Sequence, residues 1–102
     1  MKKVIEGKVY NTENAELLGE FWNNLPHGDF HSIDEALYRT KKGAFFLAGH
    51  GGAFTKYSQP CGCDGTCGGE GIFPLSEAEA REWAERYCDT DTVIRYFATE
   101  EA

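Results

Sequence analysis

The sequence predicts an α+β protein: a small, mostly antiparallel sheet covered by one helix, with a metal-binding glycine- and cysteine-rich loop. Three observations lead there. Short runs of β-branched and aromatic residues, broken by glycine-containing turns, recur through the first half of the chain. One amphipathic helix with a clear start signal follows Ser76. Between them lies QPCGCDGTCGGEG, Gln59 to Gly71, which holds three of the four cysteines and five glycines. So few apolar side chains cannot hold a loop in shape by burial.

Each element has its own justification. Lys3–Tyr10, KVIEGKVY, sets β-branched residues on either side of Glu6-Gly7 and reads as a short hairpin or a bent strand. Thr12–Phe21 carries apolar residues at Ala15, Leu17, Leu18 and Phe21, a pattern that fits a short helix or a second strand. Asn23–Ser32, NNLPHGDFHS, is rich in turn formers and reads as a loop. Ile33–Thr40 and Ala44–Ala48 form a hairpin about Lys41-Lys42-Gly43, whose glycine suits a turn of about three residues. Gly49-His50-Gly51-Gly52 ends the second strand, and Ala53–Tyr57 reads as another short extended piece.

The helix begins at Ser76, an N-cap with Glu79 at the capping-box spacing. Ala78, Trp83, Ala84, Tyr87 and Cys88 recur at helical spacing, opposite Glu77, Glu79, Glu82, Glu85 and Arg86. Glu77–Arg81 and Glu82–Arg86 are i,i+4 pairs in the favourable order. Asp89 ends this helix, and Thr92–Phe97 reads as a last strand or a short helical turn. With no internal repeat and no linker, residues 1–102 are expected to form a single domain. A chain of this size buries roughly two-thirds of its unfolded surface, enough to fold alone with modest reserve.

The amino terminus, MKKVIEGKVY, has positive charge without the apolar run of a secretory signal, and the apolar stretch AFFLA is too short to span a bilayer. The expectation is a soluble, cytoplasmic protein with no membrane partner. Charge is unevenly placed. Residues 1–59 hold seven Lys/Arg and seven Asp/Glu, whereas residues 60–102 hold three Arg and ten Asp/Glu, so the whole net charge of −7 falls in the C-terminal part. Such a field repels nucleic acid and anionic membrane and favours basic partners. Capping and i,i+4 pairing explain part of the acidic helix without any function. They leave unexplained why the first 59 residues are neutral.

Cysteines clustered in a reducing compartment are more often metal ligands or redox groups than structural disulfides. Cys61, Cys63 and Cys67, in the pattern C-x-C-x-x-x-C, supply three of the four ligands that zinc takes in a structural site. His50, in its own glycine-rich turn, is the preferred fourth. Cys88 is its rival, although its place on the apolar helix face suits a small buried hydrophobe equally. Asp64, a water, His27 or His31 complete the candidates. A closed four-ligand site is structural and contributes on the order of 10 kcal/mol of folding free energy. Disulfides, a redox C-x-C pair and inert thiols are the alternatives. No HExxH, no HxE with a paired CxxC, no GxxxxGK[ST] and no GxGxxG occurs, and Asp64 and Glu70 stand where a phosphate loop needs positive charge. An enzyme is therefore not expected.

The segments GKVYNTENAELLG, ALYRTKKGAFFLAGHGGAFTKY and GGEGIFPLSEAEAREWAERY together resemble a group of small acidic proteins of bacterial phages and mobile elements. Shared features are a GK-Y-T-A opening, a Y-R-x-x-x-G-x-F-F-L hairpin, a glycine turn before T-K-Y, and an I-x-P-L-S-x-x-E-A-x-x-W-A helix. The resemblance covers nearly the whole chain. Some members are classed with type II anti-CRISPR proteins, and the chain resembles one of these Cas9 inhibitors. That resemblance implies stoichiometric binding to the Cas9 effector in the bacterial host cell, through acidic residues that meet its basic nucleic-acid channel. Glu79, Glu82, Glu85, Asp89 and Asp91 are the candidate contacts. The cysteine cluster departs from the group's pattern, so no ligand assignment carries over and zinc belongs to this branch alone.

Overall fold

The structure is a computed structural model that describes residues 1–62 and 65–102. Cys63 and Asp64 lie outside the described residues. The fold is α+β, as expected, with eight strands, two α-helices and one 3-10 turn among the described residues.

Strands β1 (Lys2–Ile5) and β2 (Lys8–Asn11) form the first hairpin, with Ile5 opposite Lys8. Glu6 and Gly7 make its two-residue turn, both at positive φ (51° and 78°). That geometry matches the right-handed twist of the flanking strands, and a glycine in the second place relieves it. The ambiguous segment Thr12–Phe21 resolves as both things in turn. Thr12–Asn14 is a 3-10 turn whose cap, Asn11, accepts the Glu13 N–H, and β3 (Glu16–Trp22) follows. Pairing to β4 (Ile33–Arg39) decides for strand, with a bulge between Leu17 and Gly19 that turns Leu18 into the core.

The predicted hairpin is present as β4 and β5 (Phe45–Gly51). Its turn is tied by Thr40 N–H to Ala44 O (2.7 Å), Gly43 N–H to Thr40 O (2.9 Å) and Ala44 N–H to Thr40 Oγ1 (3.0 Å). Two expectations here are corrected. Strand β5 does not stop at Gly49: Gly49-His50-Gly51 continue it, because they pair with β4 on one side and with β8 on the other. Residues 53–57 are turns rather than extended chain.

The described parts of the glycine-rich stretch are largely strand. β6 (Gln59–Cys61) and β7 (Gly65–Cys67) form a small hairpin, and β8 (Gly69–Leu75) adds an edge strand to the main sheet, in the order β3-β4-β5-β8. Pro74, which has no N–H to give, is tolerated there because β8 is an edge.

Helix α1 (Glu77–Tyr87) starts on the predicted capping box: Ser76 Oγ accepts the Glu79 N–H at 3.1 Å and Glu79 Oε1 accepts the Ser76 N–H at 2.9 Å. Two helices cover the sheet, not one. Asp89 does not merely end α1 but caps α2 (Thr90–Tyr96), and Tyr96 donates from its hydroxyl to Glu16 on β3.

The sheet separates two apolar clusters, as strand alternation requires. On one face Leu18, Leu37, Phe45 and Leu47 meet Ala80, Trp83 and Ala84 of α1 and Val93 and Phe97 at α2. On the other, Phe46, Ala48 and Ile72 meet Tyr10 of the first hairpin. Among the described residues no helix is long and apolar enough to cross a membrane.

Candidate functional site

The helical layer presents the predicted acidic residues. Glu77, Glu79, Glu82, Glu85, Asp89 and Asp91 are all exposed. Two of the five candidate contacts have a local task. Glu79 closes the capping box of α1, and Asp89 accepts the Thr92 N–H at 2.8 Å to cap α2. Both carboxyls are held below their ordinary values, Glu79 chiefly by the Ser76 backbone N–H and Asp89 chiefly by its side-chain bond to Thr92.

Glu82, Glu85 and Asp91 are in no ion pair among the described residues, and the expected Glu77–Arg81 and Glu82–Arg86 bridges do not close within 4.0 Å there. Glu82 and Glu85 line a shallow groove with Arg81 and, from the C-terminal segment, Glu100. These carboxylates are exposed on the helical layer.

The caps carry a pH dependence. A carboxyl whose pKa is lower folded than unfolded adds stability above its unfolded value and loses that contribution as pH falls through the folded one. Helix stability is thus expected to decline as pH drops below the ordinary values of 4.5 and 3.8 for Glu79 and Asp89. Melting temperature followed by circular dichroism in a pH series checks this. The acid-side decline should be shallower in Glu79→Gln/Asp89→Asn, and an unchanged decline would assign it to other groups.

Among the described residues the expected metal-binding loop is not supported. Cys61 and Cys67 are joined in a disulfide, with their Cα atoms 5.8 Å apart, so in this form neither offers a thiolate. The antiparallel β6–β7 pairing sets Gln59 opposite Cys67 and Cys61 opposite Gly65, which brings the two cysteines within reach of each other. The third proposed ligand, Cys63, lies outside the described residues, as does Asp64.

His50 is on strand β5, and its Nδ1 meets Asp34 Oδ1 at 2.9 Å. His27 approaches the other oxygen of Asp34 at 3.5 Å, and the ring of His31 lies against Phe54. Among the described residues, no three His, Cys, Asp or Glu side chains are grouped to hold a metal ion. Cys88 is half-buried against Gly19. Its Sγ points to Leu18 O at 3.7 Å, and burial, then Asp89, push its thiol up, so it behaves as the small hydrophobe its helix position suggested.

One cluster went unnoticed in the sequence. Glu35, on β4, is buried beneath α1 with its side chain 5% exposed. Its Oε1 accepts from Lys56 Nζ (2.7 Å) and Tyr57 OH (3.0 Å), and its Oε2 accepts from Trp83 Nε1 (2.8 Å) and Lys56 Nζ (3.2 Å). Burial and the Glu35 carboxylate push the Tyr57 hydroxyl far above its ordinary value, so Tyr57 keeps its proton and acts as a donor. Both carboxylate oxygens are satisfied, which suits a clamp rather than proton transfer. It ties α1, β4 and the Thr55-Lys56-Tyr57 turn together and fixes the helix that carries the acidic face. A signal was available: in IDEALYR, strand alternation places Glu35 on the same side as Leu37, a core position.

In comparisons with known proteins, no family model, no curated protein and no solved structure matches the chain.

Proposed function

We propose that the protein is an anti-CRISPR inhibitor that binds a Cas9 effector stoichiometrically in the bacterial host cytoplasm. It docks an acidic helical face on the basic surface that holds nucleic acid, blocks target-DNA loading and performs no chemistry. The observation that carries this reading is the exposed set Glu82, Glu85 and Asp91, in no ion pair among the described residues, on helices packed against the sheet. The family resemblance names the partner, and the charge segregation gives the attraction its sign. Glu79 and Asp89 contribute to the same field while capping their helices.

A Cas9 cleavage assay with order of addition varied tests this. The wild-type protein is expected to inhibit when added before target DNA and to lose effect when added after. Glu82→Lys/Glu85→Lys/Asp91→Lys is expected to abolish inhibition with its thermal unfolding retained. Full inhibition by that folded variant would sink the acidic-docking mechanism.

A second reading, a thiol- or metal-handling protein, is favoured by the Cys61–Cys67 pair alone. Reduction frees both sulfurs, and structural zinc then has Cys61, Cys63 and Cys67 to draw on. Elemental analysis and thiol titration of protein made under reducing conditions check it. About one zinc per chain fits the structural zinc expected of the inhibitor as well, so the thiol titration discriminates: a thiol count unchanged by reductant removes the second reading.

A further inference from the structure

Most of the cations of this acidic protein lie in the first hairpin and around the β4–β5 turn. Lys2, Lys3, Lys8, Arg39, Lys41 and Lys42 are six of its ten Lys/Arg residues. Between the β1–β2 hairpin and the β4–β5 turn lies a cleft of about 630 Å³, within the range of small-molecule sites. Lys8 comes to it from the hairpin and Lys41 and Lys42 from the turn, and no carboxylate is among the described residues that line it.

The remaining wall is largely apolar, with Tyr10, Ala15 and Ala44 among the lining residues. Tyr10 is 8% exposed and held edge-on against Phe46, with ring centroids 5.5 Å apart. Three hydrogen bonds within the turn fix the backbone that bears Lys41 and Lys42. The cleft is thus partly pre-formed, apolar along its wall and cationic at its rim.

We propose that this cleft binds a small organic phosphate with a flat apolar portion, the phosphate meeting Lys8, Lys41 and Lys42 and the flat portion lying along the apolar wall. Ammonium groups serve as point-charge partners for phosphate, and an anion elsewhere on so acidic a surface meets net repulsion. The site is independent of the acidic face and of the inhibitor reading.

The test uses the full chain and three probes: ATP, adenosine and inorganic phosphate, titrated at low salt and followed by amide chemical shifts. Saturable shifts confined to the hairpin and the β4–β5 turn are expected with ATP, and weaker ones with each fragment. Lys41→Glu/Lys42→Glu should weaken ATP binding at least about tenfold, whereas Arg81→Glu/Arg86→Glu on α1 should leave it unchanged. Lys8→Ala, which leaves the turn untouched, should weaken binding in the same direction. Non-saturating shifts, equal binding by the Lys41/Lys42 double variant, or an effect of the α1 variant would overturn the proposal. So would a single-stranded oligonucleotide that binds the cleft far more tightly than ATP, since that would make it a nucleic-acid surface.

Discussion

Replacing Glu35 with alanine is expected to lower the free energy of unfolding by about 3–5 kcal/mol, the range found when one partner of a buried ionic network is removed. The substitution deletes the acceptor of three donors at once: Trp83 Nε1–H, Tyr57 O–H and the Lys56 ammonium. Lys56 is 43% exposed and turns to water at little cost. Trp83 and Tyr57 are buried and find no such replacement, and each unpaired donor costs about 1–3 kcal/mol.

Urea unfolding of wild type and Glu35→Ala measures the loss. Trp83→Phe, which removes one donor and keeps most of the ring volume, is expected to cost less than the glutamate change. A loss below about 1 kcal/mol for Glu35→Ala would show that the clamp adds little to the fold. The clamp also anchors α1 through Trp83, so the substitution is expected to loosen that helix on the sheet.

Gly49→Ala is expected to destabilise the protein by about 3 kcal/mol, at the upper end for overpacking. A Cβ at Gly49 would lie 2.3 Å from Asp34 O and 2.7 Å from both Glu35 Cα and Cβ. Gly49 is paired directly across from Glu35, so the added methyl meets the backbone of the strand that carries the clamp. Neither side has a flexible side-chain end to yield.

Gly19→Ala is the internal control. Its Cβ would meet Cys88 Sγ at 2.4 Å, the tip of a side chain that can rotate, so a smaller loss is expected. The Gly49→Ala and Glu35→Ala effects should be less than additive, because both act on the same contact. Full additivity in a double-mutant cycle would separate the glycine from the clamp.

Elements whose causes are local were legible in the chain before folding. Ser76 and Glu79 announce the start of α1, because a capping box is complete within four residues. Lys41-Lys42-Gly43 announces the β4–β5 hairpin, because a turn depends on its own backbone angles, whereas Glu6-Gly7 allowed a hairpin or a bent strand until β1 paired with β2. The exposed carboxylates were legible too, since the helix period sorts them from Trp83 and Ala84.

Features that depend on residues distant in sequence emerged only with folding. Thr12–Phe21 became mostly strand only by pairing with β4, and Gly69–Leu75 became a sheet edge only by pairing with β5, its glycines giving no propensity to read. Asp89 looks like a helix stop in one dimension, yet it caps α2 because Val93 and Phe97 bury against the sheet. The cysteines fit several bonding schemes by spacing, and the β6–β7 register selected Cys61 with Cys67. Glu35 joins Trp83 across 48 positions and Tyr57 across 22. Charge, caps and turns are properties of neighbours along the chain, whereas burial of a carboxylate and pairing of a strand edge exist only once the chain has closed on itself.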